Sequence, residues 1–163
     1  MRPRLLSGVV WPAEGFGVDV TQLPFNRLLG LEAAAAGSGF LVSLPAGPQY
    51  ANHLGTVHAS ALLAVAEAGS GAFLARQLGD TAGFVPVVRR LDAKFRRPAA
   101  GRVSARAAVA DGEVARWAAE LAARGRVSAA VPVEVVDGAG VVVLAATVEW
   151  FIARASAEAE PSR

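Results

Sequence analysis

The spacing of apolar and polar residues along the chain changes period several times, and each change marks an element. Residues 57–78 run without proline through Ala-Leu-Leu-Ala-Val-Ala-Glu-Ala, which predicts one helix of roughly 20 residues, about 30 Å long. Between Ala61 and Ala75 the side chains are apolar or small on every side except at Glu67 and Ser70, and a helix apolar all round is normally buried all round. Gly69 and Gly71 each cost about 1 kcal/mol of helix propensity relative to alanine, which predicts a close approach by another backbone. The period then shortens: Leu91, Ala93 and Phe95 point one way and Arg90, Asp92, Lys94 and Arg96 the other, a strand with one exposed face. A turn over residues 98–101 leads into Val103, Ala105, Ala107 and Val109 alternating with Arg102, Ser104 and Arg106, and the two strands are expected to pair as an antiparallel hairpin.

On either side of these, Thr21 is a candidate N-cap for a short helix through Arg27 and Leu28, with Pro24 in its first turn. Residues 31–36 and 39–44 read as a strand pair bent at Gly37-Ser38, and 45–55 as loop. Residues 113–124 predict a helix with Trp117 and Leu121 inward, and 127–136 and 141–151 two strands joined at Asp137-Gly138. Pro132 removes a ladder donor from the first of these. The order fits an α+β domain in which one curved antiparallel sheet wraps a long central helix, because only a curved sheet covers so much of a helix with no polar face. Residues 1–163 are expected to form that single domain, with an ordered core of about 18–154 and loose ends over 1–17 and 155–163.

Hydrophobic residues make up 53% of the chain and charged ones 18%, enough apolar surface to predict contact with a partner subunit. No run reaches the roughly 18 to 20 apolar residues of a bilayer span, and the N-terminus lacks a compact apolar core before a cleavage site, so a soluble cytoplasmic protein with no membrane partner is expected. There is no cysteine, which excludes disulfides, thiolate metal sites and cysteine nucleophiles. The net charge is +2, Lys94 is the only lysine, and the arginines are scattered without interleaved aromatics, a pattern that predicts no nucleic-acid partner. His53 and His58 are the only histidines; no His/Asp/Glu set has metal-ligand spacing, and no metal or resident cofactor is expected. Nucleophile-elbow, Walker and dinucleotide motifs are absent.

Acid–base chemistry on oxygen is what remains. Glu67 is the only ionisable group among the fifteen residues 61–75, and a buried carboxylate is costly unless paired, reached by solvent or protonated. Burial raises its pKa toward neutrality, where it can serve as general base on water or as nucleophile; a structural ion pair with arginine at a subunit interface is the alternative. The loop entering the helix offers N–H groups without intrahelical partners at the positive end of the helix dipole, a setting for an oxyanion. His58 could equally satisfy the loop from the N-cap region, and Asn52 its own turn. Arg90, Arg96 and Arg97, with Arg89, Lys94, Arg102 and Arg106, are candidates for phosphate groups or a solvated strand face.

The segment Asn52-His53-Leu54-Gly55-Thr56-Val57-His58-Ala59-Ser60 resembles the loop of the phenylacetate-pathway type of hot-dog-fold thioesterases, Asn-x-x-Gly-Thr-x-His-Gly-Gly. In that family an acidic helix residue follows, and Glu67 stands nine positions after His58. Phe95-Arg96-Arg97-Pro98-Ala99 is similar to the family's aromatic-x-x-Pro-Ala stretch, and the likeness covers roughly residues 29–152. Overall similarity points to a branch of unassigned function with the same Asn-His-x-Gly-Thr-x-His loop. The resemblance implies an acyl-CoA thioesterase, with coenzyme A entering only as part of the substrate. In it Glu67 is base or nucleophile, the Ala59 N–H polarises the thioester carbonyl, His58 orients the loop or ligand, and Asn52 holds water or the carbonyl. Gly55, Thr56, Ser60 and Val88 would contact substrate. It also implies a homodimer or dimer of dimers, with Glu67 from one chain meeting the Asn52 and His58-Ala59 loop of the other. Two departures stand out: Ala59-Ser60 replaces Gly-Gly, and Val88 stands where some relatives carry Ser or Thr. A non-catalytic acyl-CoA or acyl-lipid binding protein is therefore the alternative, and a hydratase a third reading.

Overall fold

Period-two burial on the last two strands builds the platform for the rest. In β5 (Arg126–Asp137) and β6 (Val142–Arg154), Val127, Ala129, Val131, Val133 and Val135 share one face with Leu144, Ala146, Val148, Trp150 and Ile152. The antiparallel register, Val131 opposite Val148 and Ala129 opposite Trp150, lays these side chains in continuous rows. The computed structural model describes residues 19–79 and 83–155. Residues 1–17, and the expected loose tail apart from Ala155, lie outside the described residues.

The apolar rows are covered by α2 (Ala59–Leu78), which packs on β2 (Val42–Leu44), β4 (Val103–Ala107), β5 and β6. Together with β1 (Glu32–Ala33) and β3 (Phe84–Phe95), the strands form a six-stranded curved antiparallel sheet of order β1-β2-β4-β5-β6-β3 around that helix, the expected hot-dog arrangement. Gly69 explains how closely helix and sheet approach: a β-carbon there would lie 2.6 Å from that of Ala105 on β4, closer than side chains tolerate. Helix α3 (Glu113–Arg124) has the predicted bounds and buries Trp117 and Leu121 against β5.

Four expectations change. The helix begins at Ala59 because Val57 is held in extended form, bridged to Ala51 and donating its N–H to the Ala99 carbonyl at 2.8 Å. The β3–β4 hairpin does not form: β3 pairs with β6 and β4 with β2 and β5. Residues 96–102 instead carry the chain across the sheet, starting where the Arg96 N–H bonds the Val143 carbonyl at 2.8 Å. At the front, Asp19 and not Thr21 is the cap. It bonds the Thr21 N–H at 3.0 Å over a short 3-10 turn, after which α1 (Pro24–Leu28) starts with proline in its first turn. The first strand pair shrinks to β1 and β2. Pro132 is tolerated because its carbonyl accepts from Ala108 just beyond the last β4 pair. Its missing N–H therefore points to where β4 has left the ladder, not to β6.

Candidate active site

The loop before α2 is organised by its own hydrogen bonds. Asn52 Oδ1 accepts from the N–H groups of Leu54 at 2.9 Å and Thr56 at 3.1 Å, while its Nδ2 donates to Thr56 Oγ1 at 2.9 Å. The Asn52 N–H reaches the Thr56 carbonyl at 2.8 Å, and Gly55 takes a φ of 75°, the left-handed region open to glycine at little cost. Both ends of the Asn52 amide are thus engaged within the loop it shapes. Tyr50 anchors the loop's base, donating its hydroxyl to the Leu29 carbonyl and accepting the His58 N–H at 2.7 Å on its own carbonyl.

His58 is the N-cap of α2: its Nδ1 accepts the Ser60 N–H at 3.1 Å, which places the proton of a neutral ring on Nε2. Its carbonyl accepts from Ala61 and Leu62, 3.0 and 3.2 Å away. The Ala59 N–H has no acceptor among the described residues, and Ala59 and Ser60 are exposed. One unengaged donor therefore stands at the positive end of a 20-residue helix.

Glu67 is half-buried on the same helix, and none of the ion pairs among the described residues includes it. Burial alone holds its carboxyl above the ordinary glutamate range. Ser70, the other polar position in the apolar stretch, is 0% exposed, donates to the Glu67 carbonyl oxygen at 2.7 Å and accepts from Trp150 Nε1 at 2.8 Å. Ser70 stood out in the sequence; its partner, on the last strand, did not.

Asn52, Gly55, Thr56, His58, Ala59 and Ser60 come together at the N-terminal end of α2. Glu67 does not join them within one chain: eight residues beyond Ala59, it lies about 12 Å along the axis at the α-helical rise. Val88 is 37% exposed on the edge strand β3, paired with Trp150 and so on the α2 side of the sheet. Past a bulge at Arg89, Arg90 pairs with Glu149 on the opposite face and ion-pairs with Asp92 at 2.7 Å. Arg96 lines an open groove of about 470 Å³ on that outer face with Asp92, Lys94 and Glu134. Both signs of charge are present there. Arg97 is exposed where the crossover begins.

Among the described residues no His/Asp/Glu group could hold a metal ion, and no helix is long and apolar enough to cross a membrane. Residues 34–152 match a family described as a domain of unknown function, DUF4442. No curated protein matches the chain. A Pseudomonas aeruginosa protein of unknown function, described as a probable thioesterase, is 26% identical with a TM-score of 0.70, over 83% of this chain and 91% of that one. A Bacillus halodurans protein solved with CoA is 25% identical with a TM-score of 0.59, over 78% and 74%. A Haemophilus influenzae thioesterase shares the fold at 19% identity and a TM-score of 0.62, over 83% and 86%.

Proposed function

Since the chain belongs to the DUF4442 family and has the hot-dog fold of the thioesterase superfamily, we propose that it hydrolyses an acyl-CoA-type thioester, with Glu67 as the group that handles the proton. The observation that carries this reading is Glu67 itself: a half-buried carboxylate of raised proton affinity, without a cationic partner among the described residues, and the only ionisable side chain over residues 61–75 of its helix. A carboxylate in such surroundings fits proton transfer better than structure, because a structural acid is normally paired.

In the reaction, Glu67 removes a proton from water as the water oxygen bonds to the thioester carbonyl carbon. The carbonyl oxygen takes up the negative charge opposite the Ala59 N–H and the helix dipole. As the tetrahedral intermediate collapses, the C–S bond breaks, Glu67 returns the proton to sulfur, and the products are a carboxylic acid and the free thiol. Direct attack by the Glu67 carboxylate, with a mixed anhydride hydrolysed afterwards, reaches the same products. His58 holds the Ala59 donor in place by capping the helix, and Asn52 acts through the loop its amide shapes. Gly55, Thr56, Ser60 and Val88 border the approach, and Arg96 and Arg97, which have no ion-pair partner among the described residues, are candidates to meet the phosphates of coenzyme A, whereas Arg90 must first leave Asp92.

Base and oxyanion donor must each lie about 3 Å from the reacting atoms, and the helix holds them about 12 Å apart. Two copies with antiparallel α2 helices remove that conflict, each supplying Glu67 to the other's loop, so the active form is a homodimer or a dimer of dimers. The Bacillus halodurans protein solved with CoA supports coenzyme A as the thiol. Assembly makes Val88 and Phe95, exposed on the α2 side of the edge strand, part of the acyl wall or the interface.

The test is thiol release from short, medium, long and aryl acyl-CoA substrates, by wild type and Glu67→Gln. The protein has no cysteine, so every thiol detected is product. Turnover that is lost in the variant supports the reading; a wild type inactive on the whole panel sinks it. One observation favours the second reading, a non-catalytic acyl-CoA or acyl-lipid binding protein: the Ser60 N–H is already taken by His58, leaving a single donor for the oxyanion. Ligand binding without turnover would establish it.

A further inference from the structure

The hydrogen bonds of Ser70 link the middle of α2 to a strand 80 positions away in sequence. Apolar contacts hold a helix on a sheet but are non-directional, so they set its rotation and axial position less sharply than a hydrogen bond does. A buried hydrogen bond between helix and strand fixes both, since it tolerates only narrow ranges of distance and angle. Here the bonds run in series: Trp150 Nε1 donates to Ser70 Oγ at 2.8 Å, and Ser70 Oγ donates to the Glu67 carbonyl oxygen at 2.7 Å.

The ring itself is seated by Gly71. A β-carbon at that position would lie 3.4 and 3.5 Å from Cζ2 and Cη2 of Trp150 and 3.6 Å from a Val20 methyl; it just fits, and anything longer displaces the indole. Trp150 is 8% exposed and sits between Ala129 on β5 and Val88 on β3. Ser70 and Gly71 occupy the turn directly after Glu67, the positions that neighbour it on the helix surface.

We propose that Ser70 and Trp150 are positioning residues, a hydrogen-bonded clip that sets the rotation and axial placement of the α2 turn presenting Glu67. The kinetic consequence rests on the thioesterase reading; the structural one, that the clip controls the surroundings of the Glu67 carboxyl, does not. The fold supplies its own control. Trp117 on α3 is also fully buried, but its Nε1 has no hydrogen-bond partner among the described residues, so Trp117→Phe removes an N–H that holds nothing.

Ser70→Ala, Trp150→Phe and Trp117→Phe are compared with wild type well below their thermal midpoints. One readout is kcat and KM on the best thioester. The other is the titration of the Glu67 carboxyl by carbon NMR of glutamate-labelled protein, its signal identified by its loss in Glu67→Gln. Cutting the clip is expected to lower kcat about tenfold and leave KM within about twofold, because small misplacements of a reacting group act mainly on the chemical step. The Glu67 midpoint should move down toward the ordinary glutamate range as the loosened turn admits water, while Trp117→Phe changes neither readout. If Ser70→Ala and Trp150→Phe match Trp117→Phe in both, the clip has no positioning role. A wild type that turns over no thioester ends the thioesterase reading but not this one, which then stands or falls on the titration alone. Should Ser70→Ala not fold, Trp150→Phe, which keeps an aromatic side chain and the Ser70–Glu67 bond while dropping the indole N–H, carries the test.

Discussion

The two ends of the segment His58–Gly71 are one helix and two chemical environments. At its start α2 is open: Ala59 and Ser60 are exposed, the preceding loop is closed on itself by the Asn52 amide, and the Ala59 N–H has no acceptor among the described residues. Two turns on, Ser70 and Gly71 pack on Trp150 and the sheet, and the half-buried Glu67 beside them has a carboxyl that holds its proton more tightly than usual. The first region suits developing negative charge and the second proton transfer, and a rigid helix keeps them about 12 Å apart. Neither region alone brings a base and an oxyanion donor within reach of one substrate; on the proposed thioesterase reading each is half of a site that a second copy would complete.

The largest expected effects come from removing either half. Glu67→Gln keeps the shape and deletes the proposed base, and kcat should drop by about a hundredfold or more in the thiol-release assay. Ala59→Pro deletes only the candidate oxyanion donor, since proline is accepted at the first helical position. His58 before it already has the extended φ of −62° and ψ of 139° that proline requires of its neighbour. About a hundredfold loss of kcat with unchanged helical circular dichroism is expected. Intact activity in this variant would remove Ala59 from the mechanism.

Mixing the two impaired variants tests whether each site draws on both chains. After dissociation and reassembly, half the dimers carry one of each chain and one of their two sites is whole, so about a quarter of wild-type activity should return. If base and donor served one site within one chain, nothing would return.

Smaller effects separate the two buried glycines where α2 packs on the sheet. Gly69→Ala forces a β-carbon to 2.6 Å from Ala105, and overpacking of about 1–3 kcal/mol exceeds the helix-propensity gain, so Tm should decrease by several degrees. Gly71→Ala makes only ordinary contacts, at 3.4 Å or more, and its propensity gain of about 1 kcal/mol should leave Tm unchanged or higher. Equal changes in the two would mean that helix and sheet do not meet most closely at Gly69.

The smallest effect is a pH dependence of stability. The folded-state pKa of Glu67 is raised, so its contribution runs opposite to that of a salt-bridged acid. The folded state is penalised once pH passes the unfolded-state value, and the penalty is complete above the folded-state value. Glu67→Gln should therefore melt higher than wild type at neutral pH, with the gap closing as pH drops below the ordinary glutamate range. A gap that widens in acid would show that the carboxylate is stabilised in the fold.

Much of this was written in local pattern. The bounds of α3, the buried length of α2, the close approach at Gly69 and the isolation of Glu67 follow from which residues avoid water, which periodicity records directly. Leu91, Ala93 and Phe95 do share the α2 side of the sheet, but Ala93 and Phe95 are exposed on it. Pairing was legible only in part: β1 pairs with β2 and β5 with β6 as their turns suggest, whereas β3 and β4 are consecutive and look like a hairpin, yet β3 lies at the far edge beside β6. Pairing is set by which edges remain open once α2 is covered, a property of the whole sheet. The residues 52–60 announced a site, but not that the Asn52 amide would turn inward to its loop or that His58 would cap Ser60, because those bonds depend on side-chain direction. The Ser70–Trp150 bond, spanning 80 positions, had no local trace beyond an unexplained serine. Burial is a one-dimensional preference that each residue expresses alone, whereas a hydrogen bond between distant elements exists only when the fold has brought both ends together.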